Sequence, residues 1–205
     1  MKYIFLHGMG QSASSWDNTI AGLQYDGAEI LCPELSRFFD EGNCDYSKMY
    51  SSFCSYCDSF SEPISLCGLS LGAVLALNYA IDFPQNVSSL ILVAPQYDMP
   101  KFLLKVQNLL FKFIPESQFN DIGLKKKDFI MLTKSMEDID FTNSIYKVKC
   151  PVLVICGEND NVNKKAAMKL AGELSNARFC TIENSGHEVN IDNPMRLAEV
   201  ISGGI

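Results

Sequence analysis

The feature that most constrains the fold of this chain is an alternation of short apolar runs with longer stretches of helical periodicity. Six runs have the composition of buried strands: Lys2–Leu6, Ala28–Cys32, Ile64–Cys67, Leu90–Val93, Val152–Cys156 and Arg178–Ile182. Helices are predicted between them over Ser14–Leu23, Ser47–Phe60, Leu71–Ile81, Lys164–Leu174 and Pro194–Ile201. Strands that alternate with helices favour a parallel sheet covered on both faces. We therefore predict an α/β fold of three layers (α/β/α), built around a mostly parallel six-stranded sheet.

One long interval breaks this alternation. Between residues 97 and 145 there is no convincing strand, and helical spacing predicts one helix over Pro100–Phe113 and a second over Lys125–Met136. We interpret residues 97–145 as a short helical cap inserted into a core formed by residues 1–96 and 146–205. A chain of 205 residues, 47% of them hydrophobic, is long enough to bury one sizeable core without metal or disulfide cross-links.

Composition and charge argue against several classes of protein. The net charge is -7 and no long run of Lys or Arg is present, so nucleic acid is not an expected partner. The apolar start of the chain is too short for a secretory signal, and no stretch has the length of a membrane span. We therefore expect a complete cytoplasmic protein.

The eight cysteines are expected to remain free thiols. Without a secretion signal, a disulfide framework is a weak interpretation. Cys54 and Cys57 have redox-motif spacing, but they fall inside a predicted helix rather than at the start of a helix that follows a strand. We interpret them as two half-buried thiols on one helical face. No metal site is predicted, because no second cysteine pair has suitable spacing.

The stretch Gly68-Leu69-Ser70-Leu71-Gly72 lies between a predicted strand and a predicted helix. This is the setting that a nucleophile elbow requires, with small residues on both sides of a strained serine. The alternative is a turn serine without a chemical role. A nucleophile also needs a base, an orienting carboxylate and an oxyanion hole.

The chain contains two histidines, so the search for a base is short. His187 follows the last predicted strand, in a loop that places its imidazole at the same sheet edge as Ser70. Asp160 follows the fifth strand, where its carboxylate can accept a hydrogen bond from His187 Nδ1. Glu158 and Asp98 are competing carboxylates. We predict Ser70, His187 and Asp160 as the catalytic residues.

The predicted oxyanion hole consists of the backbone N–H groups of Leu71 and Met9. Met9 belongs to the glycine-containing loop that follows the first strand, and glycines there let the backbone approach a substrate. The alternative is an ordinary turn between a strand and a helix. Candidate pocket residues flank this loop or form the apolar face of the first cap helix: His7, Gly8, Gln11, Trp16, Phe102, Val106, Leu109, Leu110 and Phe113.

Taken together, these motifs resemble the α/β-hydrolase superfamily, which has the same chain order of Ser, Asp and His. The resemblance covers almost the whole chain apart from the insertion, which falls where the family places its cap. Two departures are a missing pair of N-terminal strands, which implies a minimal six-stranded sheet, and Ala73, where many members have glycine.

The resemblance implies acyl transfer to water through an acyl-enzyme, with no cofactor and no metal. The expected substrate is a small ester or thioester with an apolar acyl or alcohol part. Other chemistries of the fold stay open at this point: a peptidase, a C–C bond hydrolase, a lactonase or a perhydrolase. A ligand-binding protein without enzymatic activity is a further alternative. The oligomeric state is not predicted.

Overall fold

The computed structural model describes residues 1–24, 27–39, 44–99 and 125–204. Six strands within these ranges form one sheet: β1 (Lys2–Leu6), β2 (Glu29–Leu31), β3 (Ile64–Leu69), β4 (Val87–Val93), β5 (Val152–Gly157) and β6 (Ala177–Ile182). Their spatial order is β2-β1-β3-β4-β5-β6, and every neighbouring pair is parallel. The predicted six-stranded parallel sheet is confirmed.

The helices of the described residues follow the predicted alternation. They are α1 (Asp17–Ala21), α2 (Tyr46–Cys57), α3 (Leu71–Asp82), α4 (Lys126–Ser135), α5 (Lys164–Glu173), α6 (Val189–Asp192) and α7 (Pro194–Gly204). Short 3₁₀ turns cover Ala13–Trp16, Leu35–Phe38, Pro84–Asn86 and Ile145–Lys147. Sequence reasoning missed α6 and the turn at Leu35–Phe38, because both are too short to show a helical period.

Capping residues explain where two of these helices begin. The Asp45 side chain accepts a hydrogen bond from the Ser47 N–H at 2.8 Å, which caps the first turn of α2. Asn193 precedes Pro194 and accepts from the Arg196 N–H at 3.4 Å, as expected for a helix with proline at its first position. None of the helices in the described part of the chain combines the length and apolar character that a membrane span requires.

The sheet separates two apolar layers, and alternate residues of β1 show the division. Ile4 and Leu6 contact the layer that contains buried residues of α2, α3 and α5. Tyr3 and Phe5 contact the opposite layer, which includes Trp16 and buried residues of α7. Each fully buried large apolar side chain contributes about 1.5–3 kcal/mol to folding. Helices on both faces confirm the predicted three-layer architecture.

Strand order determines where a crevice can form. The chain leaves β1 for β2 on one side, and β3 then pairs with β1 on its other side. The carboxyl ends of β1 and β3 therefore flank a topological switch point, the usual position of a ligand crevice in an open α/β sheet. The loops after Leu6 and Leu69 both start at this switch point.

The start of β4 differs from its prediction. The strand begins at Val87 rather than at Leu90, so it includes two serines that interrupt the apolar run. The Ser89 hydroxyl donates to the Ser65 hydroxyl at 2.8 Å, and the Ser88 hydroxyl lies 2.9 Å from the same oxygen. Because the neighbouring strand provides these partners, polar residues are accommodated inside the sheet.

Backbone hydrogen bonds join the two described ends of the 97–145 insertion to each other. The Met99 N–H donates to the Ile139 carbonyl at 3.0 Å, and the Phe141 N–H donates to the Tyr97 carbonyl at 2.7 Å. Helix α4 agrees within a residue at each end with the predicted span, while the predicted helix over residues 100–113 lies outside the described residues. The domain boundaries at residues 97 and 145 stay predictions.

Candidate active site

Ser70 occupies a strained turn between β3 and α3. Its backbone angles are φ 52° and ψ -111°, a region that residues with a side chain rarely adopt. Such a conformation costs about 1–3 kcal/mol and persists only where the surroundings enforce it. Here the Ser70 N–H donates to the Val93 carbonyl at 2.9 Å, and the Ser70 carbonyl accepts from the Val74 N–H at 3.0 Å. The turn is therefore held by the adjacent strand and by the helix that it starts.

The glycines on both sides of Ser70 are required by close backbone contacts. A Cβ at Gly68 would lie 2.2 Å from the carbonyl oxygen of Gly72. A Cβ at Gly72 would lie 2.2 Å from the carbonyl oxygen of Leu6 in β1. No side chain fits at either position without moving backbone. The G-L-S-L-G stretch thus has the close-packed geometry of a nucleophile elbow.

His187 and Asp160 are in contact. His187 Nδ1 lies 2.8 Å from Asp160 Oδ2, with the Asp160 side chain 4% exposed and that of His187 40% exposed. The two loops that carry these residues are themselves linked, because the Asn159 N–H donates to the Ser185 carbonyl at 2.9 Å. The carboxylate is therefore buried behind an imidazole that remains accessible.

Asn163 is a second partner of this carboxylate, and sequence reasoning missed it. Its Nδ2 lies 2.9 Å from both Asp160 oxygens and 3.0 Å from His187 Nδ1. The Asn163 backbone N–H donates to Asp160 Oδ1 at 3.1 Å. Burial by itself would raise the pKa of Asp160, but the hydrogen bonds from His187 and Asn163 outweigh it and hold this pKa below its ordinary value. Asp160 is therefore ionised at neutral pH.

A cavity of about 430 Å³ opens beside these residues. Its polar described wall consists of Ser70, Gln96, Thr133, Asp160, Asn163 and His187. Its apolar described wall consists of Met9, Leu71, Val74, Ala94, Met99, Phe129, Met136 and Val162. The three predicted catalytic residues and the two predicted oxyanion-hole residues thus share one cavity.

Several of these wall residues had a signal in the sequence. Phe129, Thr133 and Met136 are spaced by four and three residues, so they lie on one face of the predicted second cap helix. Ala94 and Gln96 directly follow β4, and the carboxyl ends of parallel strands meet at one sheet edge. Helix periodicity and strand order were therefore sufficient to propose them.

Four predicted pocket residues are not among the described residues that line the cavity. For Trp16 the prediction is wrong, because its ring is fully buried against Phe5 at a centroid distance of 5.2 Å. Gly8 is also buried, and a Cβ there would lie 2.6 Å from a Leu69 methyl carbon. Gln11 instead uses its side chain within the protein: it accepts from the Gly8 N–H at 3.2 Å and exchanges hydrogen bonds with Asn190.

His7 is a buried structural residue, so its prediction as a pocket residue is wrong. Only 5% of the residue is exposed. Nδ1 donates to the Gly8 carbonyl at 2.9 Å, and Nε2 accepts from the Leu35 N–H at 3.0 Å. Burial lowers the pKa of His7 below its ordinary value, although Glu34 acts in the opposite direction. The neutral imidazole therefore links the end of β1 to the turn at Leu35.

The remaining predicted pocket residues lie outside the described part of the chain: Phe102, Val106, Leu109, Leu110 and Phe113.

Neither Cys54 nor Cys57 has the features of a reactive thiol. Both lie within α2, and burial raises the pKa of each thiol above its ordinary value. Redox-active cysteines instead have lowered pKa values and accessible sulfur atoms. Among the described residues, no group of three or more His, Cys, Asp and Glu side chains is placed to hold a metal ion.

A parallel sheet with a strained serine at its switch point, on one cavity with a buried Asp and the accessible His that contacts it, is typical of the α/β-hydrolase fold. A family model described as "Alpha/beta hydrolase family" matches residues 3–200. The chain belongs to the α/β-hydrolase family, and thus to a family of hydrolases.

Individual relatives are distant. The chain is 24% identical over 238 residues to the α/β-hydrolase domain-containing protein VTE7 of Arabidopsis thaliana, covering 97% of this chain and 72% of that protein. It is 25% identical to human monoacylglycerol lipase ABHD6, covering 68% of this chain and about half (54%) of the relative. A thermophilic esterase from Thermogutta terrifontis superposes with a TM-score of 0.81 at 19% identity, covering 99% of this chain and 88% of that one. This last similarity concerns the fold alone.

Proposed function

We propose that this protein is a serine hydrolase that cleaves carboxylic esters with an apolar acyl part. The observation that carries the proposal is the strained Ser70 on one cavity with His187, whose Nδ1 lies 2.8 Å from the buried Asp160 carboxylate. The strained backbone of Ser70 has a chemical rationale if that conformation presents the hydroxyl to a substrate. A turn serine without a chemical role would not require that cost.

The proposed mechanism assigns one role to each group. Because His187 Nδ1 donates to Asp160, the Nε2 atom is available to take the Ser70 proton as the hydroxyl attacks the ester carbonyl. The backbone N–H groups of Met9 and Leu71 stabilise the oxyanion. His187 then protonates the departing alcohol and later activates the water that hydrolyses the acyl-enzyme. Asp160 stays ionised throughout and stabilises the imidazolium.

The cavity supports an apolar acyl part. Eight of its described wall residues are apolar. Asp160 is the carboxylate of the described polar wall, and it is already engaged by His187 and Asn163. Sulfur-containing side chains at Met9, Met99 and Met136 adapt to chains of different shape. The name of one similar protein, a monoacylglycerol lipase, also favours an ester substrate. The cytoplasmic location predicted from sequence stays a prediction.

The proposal is tested by labelling and by turnover. Wild-type protein, Ser70→Ala and His187→Ala are treated with a fluorophosphonate probe and assayed on p-nitrophenyl esters of increasing acyl length. Ser175→Ala, at an exposed turn, is the matched serine control. We expect labelling and turnover in the wild type and in the control, and neither in Ser70→Ala. Labelling that survives in Ser70→Ala would exclude Ser70 as the nucleophile.

The same substrates separate the proposal from the other chemistries of the fold. A labelled protein that turns over no ester would point to a peptidase, a lactonase or a C–C bond hydrolase. A protein that neither labels nor turns over substrate would point to a binding role. Either result would overturn the ester-hydrolase proposal.

A further inference from the structure

Gln96 lines the cavity and has a side-chain oxygen, Oε1, that the proposed mechanism does not use. It follows β4 by three residues, is half-buried and lines the cavity. Its Nε2 donates to the Asn163 Oδ1 at 2.7 Å. This bond fixes the plane of the amide, so the Oε1 atom has a defined direction.

Apart from Ser70 and His187, which the proposed mechanism uses, the other neutral polar side chains of the described wall use their groups within the protein. The Thr133 hydroxyl donates to backbone carbonyls of its own helix, at 3.0 Å for Phe129. Asn163 directs its Nδ2 at Asp160 and its Oδ1 at Gln96. Within the described residues, Gln96 Oε1 accepts no hydrogen bond from the protein. It is an acceptor of a half-buried side chain on a mainly apolar wall, where a donor from a bound molecule can reach it.

Asn163 links Gln96 to His187, so Gln96 lies on the His187 side of the shared cavity. Gln96 is bonded to Asn163, and Asn163 Nδ2 lies 3.0 Å from His187 Nδ1. In the proposed mechanism His187 protonates the leaving oxygen, so the alcohol part of the ester must lie on the His187 side of the cavity. The acyl part then extends along the apolar wall.

We infer that Gln96 Oε1 is a subsite for a hydroxyl group on the alcohol part of the ester, so the preferred substrates are hydroxyalkyl esters. The inference rests on the proposed ester hydrolysis. A neutral hydroxyl donor fits better than a cation, because the carboxylate in the described wall is already engaged by His187 and Asn163. The subsite selects among esters through a hydrogen bond that an alkyl ester of the same size cannot make.

The expected selectivity is moderate. A site built to bond a substrate hydroxyl rejects an analogue that lacks it, because the protein acceptor is then left without a donor. Gln96 is half-buried, so water satisfies part of its requirement when the hydroxyl is missing. We expect a preference of about tenfold in kcat/KM for the hydroxylated ester.

The experiment compares 3-hydroxypropyl octanoate with butyl octanoate, in which a methyl group replaces the hydroxyl. Wild-type protein and Gln96→Met, which removes the acceptor at similar volume, are assayed on both esters. Gln85→Met, at an exposed turn, is the matched control. Each ratio of kcat/KM is internal to one protein, so a variant with reduced overall activity still reports selectivity.

We expect the wild type and Gln85→Met to prefer the hydroxylated ester about tenfold, and Gln96→Met to hydrolyse both esters with similar kcat/KM. A wild-type ratio near one would overturn the subsite while leaving ester hydrolysis intact. So would a preference that survives in Gln96→Met. If Gln96→Met does not fold, the wild-type ratio decides. Hydrolysis of neither ester by the wild type would overturn both the proposed function and the subsite.

Discussion

The close contact between α3 and β1 means that Gly72→Ala tests how tightly the strand-to-helix turn at Ser70 is packed. Gly72 is the second residue of α3, and a Cβ there would lie 2.2 Å from the Leu6 carbonyl oxygen, 2.6 Å from its carbon and 2.8 Å from the Leu6 Cβ. The first two of these atoms belong to the backbone of a buried strand, so they cannot turn away as a flexible side chain would. The helix and the strand would have to separate.

The size of the effect follows from this geometry. A distance of 2.2 Å is about 1 Å or more short of ordinary van der Waals contact. Overpacking a well-packed core costs about 1–3 kcal/mol, and a backbone obstacle belongs at the upper end of that range. Alanine gains at most about 1 kcal/mol over glycine inside a helix. We therefore expect Gly72→Ala to lower the free energy of unfolding by at least about 2 kcal/mol.

Urea denaturation followed by far-UV circular dichroism measures this free energy. Gly172→Ala in α5 is the matched control, because a Cβ there meets nothing within 4 Å. The control should be as stable as the wild type or more stable, by up to about 1 kcal/mol. The displacement of the elbow should also slow fluorophosphonate labelling of Ser70 by about a hundredfold in the folded variant. Equal stability of Gly72→Ala and Gly172→Ala would refute the argument.

Three further predictions concern other contacts of the site and its loops. Asn163→Ala removes two hydrogen bonds to the ionised Asp160, so the pKa of Asp160 should rise and kcat/KM should fall by about tenfold; unchanged steady-state kinetics would contradict a positioning role. Trp16→Ala should lower the free energy of unfolding by about 3–5 kcal/mol, while the folded variant keeps the wild-type rate of fluorophosphonate labelling. Slower labelling of the fully folded variant would indicate that Trp16 does contribute to the site. Burial lowers the pKa of His7 from 6.5, so as the pH falls below 6.5 the unfolded chain binds a proton that the folded chain does not. Stability should therefore decrease with acidification in that range, and His7→Gln should flatten the dependence in urea denaturation at a series of pH values; parallel curves would contradict it.

The backbone of the site was predictable because it depends on sequence-local patterns. Apolar runs of strand length predicted all six strands, and loops after parallel strands meet at one edge whatever their sequence. Ser70, Asp160 and His187 each follow such a strand, so strand order alone brought their loops to one edge. The glycines at residues 68 and 72 were predictable for the same reason, since a strand-to-helix turn of this length requires small residues.

Side-chain directions were not predictable. Trp16 is close in sequence to the predicted oxyanion loop, but the 3₁₀ turn that carries it directs the ring into the apolar layer that contacts Phe5. Gln96 and Asn163 are 67 positions apart, and no periodicity relates them. Their bond depends on the spacing of β4 and β5 and on the shapes of two loops. Hydrogen bonds between loops of different strands require the tertiary structure.

Two amide pairs explain how an accessible histidine keeps a defined position. His187 is 40% exposed at its side chain, so packing alone does not immobilise it. On one side, the Gln11 and Asn190 amides exchange hydrogen bonds of 3.1 and 3.2 Å, which join the loop after β1 to α6, just beyond His187.

On the other side, Gln96 and Asn163 join the loop after β4 to the loop after β5, and Asn163 contacts the Asp160 carboxylate. Amide side chains suit this task because each has a donor and an acceptor and no charge, so they connect loops without placing a new charge beside the imidazole. The two pairs differ in exposure to substrate. Gln96 lines the cavity, whereas Gln11 is not among its described wall residues. Substitution at Gln11 should therefore change kcat for all esters alike, whereas substitution at Gln96 should change the choice between them.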